Sequence, residues 1–74
     1  MNNDIDYAAR FSANLVELMA AHNITQKDLA VSLSFTPAEV SNYVHGKRIP
    51  GSINLLKLAW YFSVSMEYLL TGDD

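Results

Sequence analysis

The sequence contains no cysteine, which excludes disulfide bonds, thiolate chemistry and cysteine-based zinc sites. Its two histidines, His22 and His45, are too far apart in the sequence to indicate a local metal site. No apolar run approaches the roughly 20 residues that a membrane-spanning helix needs, and the polar, acidic start of the chain is unlike a signal peptide. These absences predict a cytoplasmic protein with no metal, no cofactor and no membrane partner.

The groupings of residues on which catalysis depends are missing too. The sequence has only three glycines and no glycine-rich phosphate loop. No pair of carboxylates lies in a region long enough to form a pocket. A chain of 74 residues also has side chains for only one hydrophobic core. We therefore expect a single domain over residues 1–74, with its core between residues 7 and 72, that is not an enzyme and has no small-molecule ligand.

Positive charge is scarce and unevenly distributed. The net charge at pH 7 is −3, which opposes unspecific attraction to a polyanion. Four of the five basic residues nevertheless lie between residues 26 and 57, where only two carboxylates accompany them, whereas both ends of the chain are acidic. The middle of the chain is therefore the part that can present a basic face to nucleic acid.

Apolar residues recur at helical spacing along nearly the whole chain, and they never alternate for long enough to indicate a strand. The pattern predicts an all-α protein with five short helices. The first helix covers residues 7–22, the second follows Thr25 and the third starts at Pro37. The fourth and fifth helices are predicted to begin after N-caps at Ser52 and Ser65.

Two of these predicted helices begin eleven residues apart. Residues 25–28 have the form of a capping box, and residues 36–39 repeat it with a proline in the first helical position. Gly46 is placed to end the helix that follows the second box. A turn at residues 33–36 separates the two helices. This arrangement is typical of a helix-turn-helix, with its second helix over residues 37–45.

Four sequence motifs occur in order between residues 11 and 72. They are Asn23-Ile24-Thr25-Gln26-Lys27-Asp28-Leu29-Ala30, Val40-Ser41-Asn42-Tyr43, Gly46-Lys47-Arg48-Ile49-Pro50, and Leu55-Leu56-Lys57-Leu58-Ala59 followed by Val64-Ser65-Met66-Glu67-Tyr68-Leu69-Leu70-Thr71-Gly72. With these motifs the chain resembles the lambda-repressor-like family of phage repressors, Cro proteins and XRE-type regulators. The resemblance implies a sequence-specific transcriptional regulator, a repressor by expectation, that binds double-stranded DNA through helices two and three.

The resemblance also implies roles for individual residues, with helix three in the major groove. Contacts to bases are expected from Thr36, Ala38, Ser41 and Asn42. Contacts to phosphates are expected from Thr25, Gln26, Lys27, His45, Lys47 and Arg48. Of the residues expected at the bases, Asn42 alone has a side chain that pairs with adenine through two hydrogen bonds, and Ala38 is suited to the methyl group of thymine.

The sequence departs from the family pattern at the start of helix three. Pro37 and Ala38 stand where family members often have long polar side chains, and neither makes two hydrogen bonds to a base. Together with the acidic net charge, this departure motivates a second hypothesis. The helix-turn-helix scaffold would then serve as a protein–protein interaction module, for an antirepressor or a partner regulator, with weak or no DNA specificity.

Two further departures concern the fold. Ser34 occupies a turn position where glycine is common, so a left-handed backbone there would cost about 1–2 kcal/mol. Met19 and Val44 match positions where many family members have a buried arginine–glutamate pair. Because both residues are apolar here, we expect packing to replace the ion pair without loss of the fold.

Helix four is predicted to have apolar residues on more than one side. Ile53 and Leu56 are expected to broaden its inward face, and at least one of the adjacent aromatic residues Trp60 and Tyr61 is expected to be exposed. Two interpretations of this aromatic pair remain open: a dimer interface, which the resemblance favours, or packing against the N-terminal arm at Ile5 and Tyr7. A homodimer would place its recognition helices about 34 Å apart on a near-palindromic operator.

Overall fold

The structure, a computed structural model, describes residues 6–73, which form five α-helices. These are α1 (Tyr7–His22), α2 (Gln26–Leu33), α3 (Pro37–Val44), α4 (Ser52–Phe62) and α5 (Met66–Thr71). The described residues contain no strand, so the prediction of an all-α fold with five helices is confirmed. Helix α3 ends one residue before the predicted boundary, because the backbone of His45 has left the helical conformation and serves as the C-cap.

The helix starts follow the capping chemistry of the sequence, with one exception. The side chain of Asp6 accepts a hydrogen bond from the Ala9 backbone N–H at 3.0 Å, and the predicted cap of α5, Ser65, is present. The predicted cap at Ser52 is wrong, because Ser52 is already the first helical residue. Gly51 has the extended backbone of the N-cap and offers no side chain.

One cluster of buried apolar side chains includes residues from all five helices. Its members are Phe11, Leu15, Met19, Leu29, Ala30, Phe35, Val40, Tyr43, Leu55, Leu58, Ala59, Phe62 and Leu69. Val44 packs against this cluster, of which Met19 is a member. Both positions are therefore occupied by apolar packing, as the sequence predicts.

Tyr43 joins α3 to three other parts of the chain. Its side chain is only 2% exposed, and its ring meets the rings of Phe11 and Phe35 edge-to-face, with centroids 5.9 and 5.8 Å apart. Its hydroxyl accepts a hydrogen bond of 3.0 Å from the Asn54 amide. Tyr43 thus fixes α3 against α1, against the turn before α3 and against α4.

Helix α1 supplies hydrogen-bond donors to the C-terminal ends of two other helices. The Ser12 hydroxyl donates to the carbonyl of Val44 at the end of α3. The Asn14 amide donates to the carbonyls of Tyr68 and Leu69 in α5, at 3.2 and 3.0 Å. Because the last four carbonyls of a helix have no partner within it, these contacts hold the short helices α3 and α5 in place.

We expect Asn14→Ala to lower the free energy of unfolding by about 1–3 kcal/mol. The partly buried Leu69 carbonyl loses its donor, and the Tyr68 carbonyl keeps only the hydrogen bond from the Gly72 backbone N–H. Urea denaturation followed by circular dichroism measures the change. Asn42→Ala is the matched control, since the Asn42 side chain is also half-buried but its amide makes no hydrogen bond among residues 6–73. Equal effects of the two substitutions would contradict the assigned role of Asn14.

Candidate nucleic-acid interface

The turn between α2 and α3 is fixed by backbone geometry and by one buried ring. Ser34 ends α2 with φ of 58° and ψ of 39°, so the backbone at this position is left-handed although the residue is not glycine. The Phe35 backbone N–H then donates to the Ala30 carbonyl at 3.0 Å, and the Phe35 side chain enters the core. The direction in which α3 leaves α2 is therefore set within three residues.

Lys57 of α4 supports the same turn from the side. Its ammonium group lies 3.4 Å from the carbonyl oxygen of Leu33, the last residue of α2, and 5.7 Å from the centroid of the Phe35 ring. A cation is favourable both at the C-terminus of a helix and over an aromatic face. Lys57 is thus one basic residue that contributes to the fold of the turn.

Both predicted capping boxes are present. Thr25 and Asp28 bond reciprocally at the start of α2, with both distances 3.0 Å. Thr36 and Glu39 do the same at the start of α3: Glu39 accepts from the Thr36 backbone N–H at 2.8 Å, and Thr36 accepts from the Glu39 N–H at 3.1 Å. One oxygen of the Glu39 carboxylate and one acceptor site of the Thr36 hydroxyl are therefore occupied within the protein.

The pKa of the Asp28 carboxyl lies below its ordinary value of 3.8. The main cause is the hydrogen bond from the Thr25 backbone N–H, followed by the contribution of the Thr25 hydroxyl; both stabilise the charged form. A smaller contribution comes from the positive charge of Lys27. The capping box at the start of α2 is thus held by an ionised carboxylate.

The residues expected to contact bases share one surface of α3. Ala38 is exposed, and Ser41 and Asn42, three and four residues further along, are half-exposed. This spacing puts the three on one face of the helix, opposite the buried face formed by Val40 and Tyr43. Thr36, the fourth predicted residue, is exposed at the N-cap.

Ser41 also contacts His45, a pairing that the sequence interpretation missed. The His45 Nδ1 atom lies 2.8 Å from the Ser41 carbonyl oxygen and 3.3 Å from the Ser41 hydroxyl. The contact holds the imidazole against the last turn of α3. Its only signal in the sequence is the four-residue spacing that makes neighbours on a helix.

The residues expected to contact phosphates form two groups. Thr25, Gln26 and Lys27 are exposed at the start of α2, and His45, Lys47 and Arg48 are exposed at the end of α3 and in the loop that follows. All six side chains are therefore accessible to a ligand from outside.

The loop after α3 begins with a glycine in the left-handed conformation, which lies against α1. Gly46 has φ of 72°, and a Cβ atom there would lie 3.5 Å from Ser12 Cβ and 3.6 Å from the Ala8 carbonyl oxygen on α1. The Lys47 backbone N–H donates to the Asn42 carbonyl at 2.9 Å. Because that N–H is occupied, a phosphate contact at Lys47 falls to its side chain.

An apolar groove of about 430 Å³ lies beside the start of α3. Its lining residues are Gln26, Lys27, Ala30, Val31, Phe35, Pro37 and Val40. Val31, at the edge of the groove, is 74% exposed. The sequence interpretation did not predict this groove, because it forms only when α2 and α3 are folded against each other.

Helix α4 has an exposed apolar face. Ile53 and Trp60 are 66% and 73% exposed, and Leu56 is half-buried; their spacing of three and four residues puts them on one side of the helix. The exposure of Trp60 agrees with the sequence prediction, but Ile53 does not broaden the inward face as expected. Tyr61 is half-buried with its ring against that of Phe62, centroids 5.0 Å apart.

The described residues give no further contact that assigns the aromatic pair to the N-terminal arm. Ile5, one of the two expected arm contacts, lies outside residues 6–73, and Tyr7 is half-buried at the start of α1.

None of the helices in residues 6–73 has the length and hydropathy required to span a membrane. Within the same range, no three histidine or carboxylate side chains are close enough to share a metal ion.

A family model described as helix-turn-helix matches residues 15–69, a span that includes the turn, α3 and both predicted groups of contact residues. The chain therefore belongs to the helix-turn-helix family, in agreement with its resemblance to lambda-repressor-like and XRE-type regulators. This membership supports the prediction of a DNA-binding regulator of transcription.

One similar protein is the HTH-type transcriptional activator BcrR of Enterococcus faecalis. The two are 31% identical over 64 residues, which is 86% of this chain. The chain spans only 31% of the length of that relative. No solved structure is a significant match to the chain.

The lowered pKa of Asp28 makes the stability of the protein depend on pH. Because the pKa is lower in the folded than in the unfolded chain, the carboxylate stabilises the fold above its unfolded pKa, about 4. This stabilisation is lost as the pH falls through the folded value. We therefore expect the melting temperature of the wild type to fall more between pH 7 and pH 2 than that of Asp28→Asn. The asparagine oxygen still accepts a hydrogen bond from Thr25 but does not titrate. Melting temperatures are measured by circular dichroism, and an equal fall with pH in both proteins would contradict the prediction.

Proposed function

We propose that residues 1–74 form one domain of a sequence-specific transcriptional regulator that reads the major groove of double-stranded DNA with α3. The observation that carries the proposal is the exposed face of Ala38, Ser41 and Asn42, directly opposite the side of α3 that is fixed in the core. A helix held in this way presents its outer side chains to base edges in a constant orientation.

We assign the base contacts to Thr36, Ala38, Ser41 and Asn42. The Asn42 amide suits the N6 and N7 atoms of adenine, and a hydroxyl such as that of Ser41 suits several bases. The side chains of the two exposed groups, Thr25, Gln26 and Lys27 and then His45, Lys47 and Arg48, are assigned to phosphates. These contacts fix position and supply affinity without reading sequence.

Repression stays our prediction for the outcome of binding, although the relative from Enterococcus faecalis is named an activator. The cytoplasmic location also stays a prediction. A reporter gene placed behind the binding site, with and without the protein, distinguishes repression from activation.

The first test of the proposal is a selection of bound duplexes from a random pool at about 0.15 M salt, where charges more than ~8 Å apart are largely screened. We expect a near-palindromic sequence to be enriched. If no sequence is enriched while circular dichroism shows a folded protein, the proposal of sequence-specific binding fails.

The selected duplex then tests the basic loop. Substitution of both Lys47 and Arg48 by glutamine should weaken binding to all duplexes. It should also reduce the slope of log affinity against log salt by about 0.9 for each phosphate that the protein no longer neutralises. Arg48→Gln and Arg10→Gln form a matched pair, because each removes one positive charge but Arg10 lies on α1, near the carbonyl oxygen of Thr71. Equal reductions in affinity from this pair would indicate a general effect of charge rather than binding of a phosphate by Arg48.

We further propose that the protein binds DNA as a homodimer through the exposed apolar face of α4. Ile53, Leu56 and Trp60 are large side chains on one side of a helix, and exposed aromatic residues are enriched in the cores of protein interfaces. Tyr61, which the sequence interpretation also placed in this interface, is half-buried against Phe62 and contributes a smaller surface. The two recognition helices would lie about 34 Å apart on a near-palindromic operator.

Trp60→Ala tests the dimer. Because Trp60 is 73% exposed, we expect the substitution to leave the fold intact and to shift the protein from dimer to monomer in sedimentation experiments. Val31→Ala is the control, since Val31 is equally exposed but lies on α2. A wild-type monomer bound one-to-one to an asymmetric site would contradict the proposed homodimer.

The apolar groove beside α3 favours the alternative function, a protein–protein interaction module. A groove of about 430 Å³ with an exposed valine at its edge suits an apolar side chain of another protein. Such a module would bind nucleic acid weakly, so substitution of Lys47 and Arg48 would change little in a DNA-binding assay.

A further inference from the structure

The capping box at the first turn of α3 uses one oxygen of the Glu39 carboxylate and one acceptor site of Thr36 within the protein. The Glu39 carboxylate accepts from the Thr36 backbone N–H, and the Thr36 hydroxyl oxygen accepts from the Glu39 N–H. Pro37 has neither a backbone N–H nor a polar side chain. The part of α3 that enters a major groove first therefore has few groups left for hydrogen bonds to bases.

What this turn exposes is mainly apolar. The side chains of Pro37 and Ala38 are exposed, and Thr36 adds its own methyl group beside them. The apolar surface continues from Pro37 into the groove, whose lining includes Val31 and Val40. An apolar surface in this place cannot recognise the donors and acceptors of a base pair, but it can recognise a methyl group.

We propose that Ala38, supported by Pro37, recognises the C5-methyl group of a pyrimidine in the major groove. The inference rests on the proposed function, because it requires α3 to lie in that groove. Thymine is the base that carries this methyl group in ordinary DNA, and contact with alanine is one of the ways in which proteins read it. Discrimination by Ala38 would thus be between bases with and without a methyl group.

Pyrimidines with and without the C5-methyl group distinguish contact with that methyl group from hydrogen bonding to the base. Thymine and 5-methylcytosine place the same methyl group at the same point of the groove, although they differ in the oxygen or amino group at C4. Removal of the methyl group from thymine gives uracil, which leaves every hydrogen-bonding group unchanged. Duplexes with thymine, uracil, cytosine and 5-methylcytosine at one position therefore separate contact with the methyl group from recognition of the C4 group.

The experiment uses the 74-residue chain and the duplex that the random-pool selection enriches. Each thymine is replaced in turn by uracil opposite the same adenine, or by cytosine or 5-methylcytosine with guanine placed opposite. Affinity is measured by fluorescence anisotropy. At the position that faces Ala38 we expect uracil to bind about fourfold more weakly than thymine, the loss typical of one buried methyl group. We expect 5-methylcytosine there to bind more tightly than cytosine by a similar factor.

Variants assign the effect to one side chain. Ala38→Gly should bring the thymine-to-uracil affinity ratio close to one, and Ala38→Ser, a polar replacement, should reduce it. Ala13→Gly is the matched control, because Ala13 is an exposed alanine on α1, and the ratio should stay near that of the wild type. Since each variant is compared with itself on two duplexes, a change in its folded fraction cancels.

Two results would overturn the inference while the proposed function stands. One is equal affinity for thymine and uracil at every position of a duplex that is bound specifically. The other is a thymine-to-uracil ratio that Ala38→Gly leaves unchanged. Failure to bind any duplex would instead overturn the proposed function, and this inference would fall with it.

Discussion

The side chain of Tyr43 is the contact on which the candidate interface depends. Its ring lies between those of Phe11 and Phe35, and its hydroxyl accepts from Asn54. A helix of eight residues is too short to be stable by itself, so α3 keeps its shape and direction only through such contacts. The outer face of α3 is ordered because the inner face has partners on α1, on the turn and on α4.

Hydrogen bonds at the helix ends complete this arrangement. Four helices receive a side-chain N-cap from their own segment, at Asp6, Thr25, Thr36 and Ser65, whereas the C-terminal carbonyls of α3 and α5 are bound by Ser12 and Asn14 of α1. The caps at the starts act within one turn, and the donors at the ends join distant parts of the chain. The longest helix therefore acts as the scaffold for the shorter ones.

Features formed within one turn of a helix can be predicted from the sequence alone, whereas contacts between distant parts of the chain cannot. The five helices, both capping boxes and the left-handed backbone of Ser34 follow from local patterns, and all are present. The shift of the α4 cap from Ser52 to Gly51 is a local choice between two acceptable N-cap residues. The bond from Asn14 to Leu69 spans 55 positions, so no local pattern contains it. The exposed side of α4 and the groove beside α3 likewise depend on how the helices pack.

Ser34 has one more consequence, which concerns how long the protein persists. It shares its positive φ with Asn23 and Ser63. A left-handed backbone costs a residue such as serine about 1–2 kcal/mol that glycine avoids, and it costs asparagine less. A small domain is stable by only about 5–15 kcal/mol, so three such positions raise the fraction of molecules that are unfolded at any moment. Unfolded molecules are the substrates of cellular proteases. The backbone at three helix ends thereby contributes to the lifetime of each copy, independently of the residues that are proposed to contact DNA.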